Sequence, residues 1–187
     1  MKEFREFLNN LNESFDLKYL SKVKRVVPSK IRELILDRYI EANIVNAQDI
    51  KEYSDILKKY HFLNGFVFTE KDEFLIIFMV VQGMKEVHLM NLSDGDGAKQ
   101  TFSLGKSSQK AFATTLNQIV IFLKKYSGPL KIKFEPTRLG LYEKILNKVL
   151  QKHLQKFELQ KSYTENINHI FIINKSRKYF NESIFTK

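Results

Sequence analysis

The sequence predicts an α+β fold: a mixed, mostly antiparallel sheet flanked by helices, with a helical N-terminal extension. Two observations carry this. Apolar residues recur at helical spacing through the first sixty-odd positions, and from Gly65 onward the pattern changes to short extended runs interrupted by two amphipathic helices. With 187 residues, 43% hydrophobic and 13% aromatic, the chain is long enough to bury a full core. The expected organisation is a helical extension over 1–64, an α/β core over 65–175 and a polar tail over 176–187.

In chain order, Phe4, Phe7, Leu8 and Leu11 share one helical face, and Ile31, Leu34, Ile35 and Tyr39 repeat the spacing after Pro28-Ser29, where Ser29 is the expected N-cap. A third helix is expected over about 47–60, with Ile50, Tyr53, Ile56 and Leu57 on one side. Asn64-Gly65 then marks a turn. Residues 65–69, 73–81 and 86–91 are short aromatic and β-branched runs, the pattern of an antiparallel meander. Ser93 to Gly97 signals a loop. Ala111, Phe112, Leu116, Ile119, Val120 and Leu123 define a helix over about 107–126, which Ser127-Gly128-Pro129 ends. A strand over 130–134, a helix running to about Lys156, and two strands over 157–163 and 169–174 complete the series.

Charge is divided unevenly. Residues 1–98 hold 14 Lys/Arg and 16 Asp/Glu, or −2, whereas 99–187 hold 17 and 5, or +12, so the second half is a basic surface. Such a field attracts nucleic acid, an acidic protein or a phosphate-bearing cofactor, although lysine-rich surfaces also serve solubility alone. Lys144, Lys148, Lys152 and Lys156 recur every four residues along the last helix, Lys131 and Lys133 alternate on the preceding strand, and Lys22, Lys24 and Arg25 form another cluster. The stripe is either a nucleic-acid surface or the solvated face of an amphipathic helix.

Several chemistries are set aside. The chain has no cysteine, hence no disulfide, thiolate nucleophile or cysteine-bound zinc. His61, His88, His153 and His169 lack ligand spacing, and Asp94-Gly95-Asp96-Gly97 lacks the glutamate that a calcium loop requires near Gly105, so no metal site is expected. No apolar run is long enough to span a bilayer, and the start MKEFREFLNN is not expected to act as a secretory signal. A cytoplasmic setting, in a bacterium or a phage-infected cell, is the expectation, with a virion as the other possibility.

The order of helices, three strands, helix, strand, helix and two strands, with Leu141-Tyr142-Glu143-Lys144 on the last helix, resembles the GNAT family of N-acetyltransferases. That family's last helix often reads Asn-x-x-Ala-x-x-Leu-Tyr-Glu-Lys-x-Gly-Phe. Here Glu135 replaces the Asn, Arg138 the Ala and Leu146-Asn147 the Gly-Phe. The sequence is also similar to a set of phage-encoded GNAT-like proteins, through Ala111-Phe112-Ala113-Thr114-Thr115 and Arg138-Leu139-Gly140-Leu141-Tyr142. The resemblance implies an acyl-CoA-dependent N-acyltransferase, or a relative that has lost catalysis, with acetyl-CoA as cofactor and an amine as acceptor.

Acetyl transfer needs a pyrophosphate cradle, a base for the amine, donors for the oxyanion and an acid for the leaving thiolate. The family's cradle, Arg/Gln-x-x-Gly-x-Gly/Ala, falls on Phe102 to Ser107, where Gly105 and Ser107 fit and Phe102 does not. Gly105, Lys106, Ser107 and Ser108 are therefore the implied cofactor-binding residues, or else an ordinary helix start. Tyr142, on the face of Leu139, Ile145, Leu146 and Val149, is the implied acid or a core tyrosine with a satisfied hydroxyl. Glu86 is the implied base, chosen from the strand candidates Glu73, Glu86 and His88, which otherwise read as solvated strand ends and a core-edge histidine. The other class of function is a non-enzymatic binding protein that engages nucleic acid, a virion or a host protein through the basic half.

Overall fold

The computed structural model describes residues 20–42, 45–70, 72–93, 106–126, 128–134, 139–165 and 168–176. Among them are four helices and seven strands. In order these are β1 (Lys24–Val26), α1 (Pro28–Ala42), α2 (Ala47–Lys58), β2 (His61–Thr69), β3 (Glu73–Val81), β4 (Met84–Asn91), α3 (Lys106–Lys125), β5 (Leu130–Phe134), α4 (Leu139–His153), β6 (Phe157–Glu165) and β7 (Asn168–Lys175). The fold is α+β.

The seven strands form one open sheet in the order β1-β2-β3-β4-β5-β7-β6. Every neighbouring pair is antiparallel except β4 and β5. That parallel pair is joined through α3, because parallel neighbours require a crossover rather than a hairpin. Strands β3 and β4 meet at a two-residue turn in which Gln82 (φ 49°) and Gly83 (φ 80°) both take positive φ, as the twist of a tight hairpin requires.

Helices cover both faces. Strand β3 reads EFLIIFMVV without polar alternation because it is buried on both sides. On one face Phe78, Val87, Leu89, Ile132, Phe171 and Ile173 pack with Phe112, Leu116 and Leu123 of α3 and Ile145, Leu146 and Val149 of α4. The Phe78 ring stacks on Phe122 at 4.2 Å, a contact worth about 0.5–1.5 kcal/mol beyond the area it buries. On the other face Leu75, Ile77 and Met79 pack with Ile31 and Ile35 of α1 and Leu57 of α2. The segment before β1 is tied to α3: the Ser21 N–H donates to Thr114 Oγ1 at 3.0 Å, and Glu70 accepts from the Ser21 hydroxyl and, at 2.8 Å, from Lys110.

The extended runs and their order agree with expectation, and the boundaries differ for identifiable reasons. The turn expected at Asn64-Gly65 lies instead near Tyr60, and β2 runs through both residues with a bulge between Phe62 and Asn64. Gly65 is required there by close approach. A Cβ on it would stand 2.9 Å from Ile31 Cδ1 and 3.4 Å from Val26 Cβ. Helix α1 begins at Pro28, whose fixed φ suits the first helical position, so Ser29 is not the cap. Helix α2 is capped by Asn46, whose side chain accepts from the Gln48 and Asp49 N–H groups while Asp49 reaches back to the Asn46 N–H. Residues 24–58 of the expected helical extension supply a sheet strand and the two helices of one face. The helix expected around Phe4 to Leu11, the loop at 94–97 and the tail from 177 lie outside the described residues.

Candidate functional site

Strands β4 and β5 run side by side over three rungs only, Lys85↔Leu130, Glu86↔Lys131 and Val87↔Ile132. Beyond them β5 stays paired to β7, through Lys133↔Ile170 and Phe134↔His169. Strand β4 stays paired to β3, through Ile77↔His88 to Phe74↔Asn91. Among the described residues the ladder between the two parallel strands thus ends toward their carboxyl ends, where open α/β sheets characteristically bind ligands. His88 is the first residue of β4 past the last rung.

Side-chain alternation settles what faces the opening. Val87 and Leu89 belong to the core beneath α3 and α4, so Glu86 and His88 point to the opposite face, beside Met79 and Ile77. There Glu86 Oε2 lies 3.0 Å from His88 Nε2, and Glu86 Oε1 lies 3.4 Å from Lys131 Nζ. The three side chains are only 5%, 11% and 14% exposed. Groups of this kind, a buried carboxylate between an imidazole and an ammonium, cluster at working sites as well as in structural networks. The carboxylate bonded to Nε2 fixes the orientation of the ring.

The other expected residues are placed as follows. Helix α3 returns from the carboxyl end of β4, so Lys106, Ser107 and Ser108 form its first turn at the end where the strands part. Gly105 lies outside the described residues. Tyr142 lies in the first turn of α4, the helix that follows β5, and its side chain is outside the described part. Glu73 is not at the site: its carboxylate pairs with Arg38 of α1 at 2.7 Å.

Three of the four lysines of the expected stripe lie on α4. Lys144, Lys148 and Lys152 are exposed on α4. The helix ends at His153, so Lys156 lies in the following turn rather than on the stripe. Lys131, expected on the basic surface, is instead largely covered and lies against Glu86. At the far end of the sheet, the last turns of α3 and α4, the start of β6 and the end of β7 border an open cavity of about 640 Å³. Lys124, Lys125, Lys152, His153, Lys156 and Lys175 line it. Burial, followed by the charges of Lys152 and Lys124, holds the His153 imidazole below the ordinary histidine range.

Comparison with family models, curated proteins and solved structures returns no match.

Two groups of the site escape a reading of the sequence alone. Lys131 looks like surface charge because only the β4–β5 rung brings it to Glu86. Lys124, Lys125 and Lys175 lie far apart in sequence from Lys152, and only their places at one end of neighbouring elements bring them together. The available signal for His88 was its i,i+2 relation to Glu86 on a strand, which puts the two on one face. Among the described residues, no group of three His, Asp or Glu side chains is placed to hold a metal, and no helix is long and apolar enough to cross a membrane.

Proposed function

We propose that this domain is a GNAT-like N-acyltransferase that transfers an acyl group from acyl-CoA to an amine. The observation that carries the reading is the parting of β4 and β5 directly beside the buried Glu86–His88 pair. Strand β4 past Val87 presents backbone N–H and C=O groups toward the gap, and an extended chain bearing amides, such as a pantetheine arm, complements an edge of this kind. The backbone N–H groups of the first turn of α3, from Lys106 to Ser108, are the proposed partners of its phosphates. Acyl-CoA, when bound, supplies the activated thioester.

The residues of the chain account for the proton. An amine nucleophile must be neutral to attack, and in this reading the Glu86–His88 pair takes its proton, the carboxylate bonded to Nε2 orienting the ring. Lys131 Nζ pairs with the other oxygen of the same carboxylate, 3.4 Å away. Tyr142, in the helix that follows β5, is the proposed acid for the departing thiolate. The strand order, with one parallel pair at its centre, and Leu141-Tyr142-Glu143-Lys144 on the helix after β5 support the family reading.

Calorimetric titration with acetyl-CoA at about 0.15 M ionic strength tests the proposal. Saturable binding, with acetylation of an amine panel that falls ~10²–10⁴-fold in Glu86→Gln, is the expected result. Absence of binding at that ionic strength overturns it.

A further inference from the structure

A second feature, independent of the acyl-transfer reading, lies at the opposite end of the molecule. Helix α3 runs about 30 Å back from the opening, and α4 runs back from β5, so their C-termini meet beyond the start of β6. Their last turns supply Lys124, Lys125, Lys152 and His153 to the cavity, the turn before β6 supplies Lys156 and the end of β7 supplies Lys175. Among the described residues no Asp or Glu lines it.

Basic residues in a last helical turn ordinarily offset the helix dipole. Two helix ends amount to roughly one negative charge between them, against the five lysines that line the cavity, so its lining is basic beyond what the helix ends require. The field does not stop at its rim. Lys152 is also the end of the exposed α4 row with Lys144 and Lys148, spaced about 6 Å apart along the helix. A compact cavity that continues into a linear row of cations fits a linear polyanion better than a single phosphate.

We infer that the lysine cavity and the α4 row form one binding track for the phosphodiester backbone of nucleic acid. The chemistry favours this source of phosphate over two others. Lysine acts as a point charge without the fork geometry that selects one small phosphate ligand, and it suits contacts that are independent of sequence. A membrane-surface site would need exposed apolar groups to insert, whereas of the apolar lining Leu123 and Leu154 are buried and Phe157 is half-buried. Binding an anion here raises the proton affinity of His153, which makes the imidazole a reporter on the wild-type chain.

The test is fluorescence anisotropy with a short labelled single strand and its duplex, measured from about 50 to 200 mM salt. The Lys124→Glu, Lys156→Glu double variant should bind about tenfold or more weakly at the low end, with a salt slope shallower by roughly 1.4–1.8. Lys51→Glu with Lys59→Glu, an equal charge change on and just after α2, should cost less than about threefold. Wild-type His153, followed by NMR, should titrate at higher pH when the oligonucleotide is present. Equal losses in the two variants, anionic vesicles bound more tightly than the oligonucleotide, or an unmoved His153 titration would each overturn the inference. The last readout does not depend on the variants folding.

Discussion

Glu86 and Lys131 face each other on the middle of the three rungs that join β4 to β5, with Oε1 and Nζ 3.4 Å apart. One rung later the ladder between the strands ends, and His88, hydrogen-bonded to the same carboxylate, is the first residue of β4 past it. The pair thus bridges the last closed part of the sheet and supplies the charge that orders the imidazole beside the opening.

Breaking this pair on one side should be far more costly than removing it. Glu86→Leu leaves the buried Lys131 ammonium without its carboxylate and is expected to cost about 3–5 kcal/mol in chemical denaturation. Glu86→Leu combined with Lys131→Met should recover most of that loss. A double variant as unstable as the sum of the singles would show that the coupling is absent.

Gly65 makes a second prediction. Valine there drives side-chain atoms into Ile31 of α1 and Val26 of β1 and should destabilise by about 1–3 kcal/mol. Adding Ile31→Ala should restore part of the loss, whereas rescue by an unrelated cavity such as Leu123→Ala would contradict the assignment.

The Asn46 cap is a local test of the helix that covers the second face. Asn46→Ala removes the acceptor for two backbone N–H groups and should lower stability by about 1 kcal/mol, read as a reduced melting temperature. Asn46→Asp should be close to neutral, because a carboxylate accepts the same bonds.

His153 gives a pH prediction whose sign follows from its lowered proton affinity. The folded form resists protonation, so the unfolded chain takes up the proton first as pH falls below the ordinary value of 6.5. The contribution is fully present above that value and is lost toward the lower folded pKa. His153→Gln should therefore flatten the fall in stability from about pH 6.5 to 5 relative to wild type. Parallel profiles for the two proteins would count against the shift.

Local pattern made the order of elements legible. The unbroken apolar run of β3 and the helical stripes of α1 to α4 are properties of contiguous residues, and each predicts its element directly. Asn64-Gly65 misled because the usual turn dipeptide here answers to α1 pressing on the strand, a contact between residues 34 positions apart. Strand β1 was hidden because three residues, two of them basic, show no alternation and depend on β2 for pairing. The site was legible as candidates and not as an arrangement. Glu86 could be singled out as a strand carboxylate, but its burial and its bond to Lys131 arise from the parallel rung that α3 creates.

The most direct test of the central claim is NMR mapping of acetyl-CoA on the isotope-labelled protein, since the ligand is anionic and could be drawn to either end. The account predicts saturable shifts in the amides of His88 to Asn91 and Lys106 to Ser108 that persist at about 0.15 M ionic strength. Shifts confined to Lys124, Lys125, Lys152, Lys156 and Lys175, and erased by salt, would contradict it.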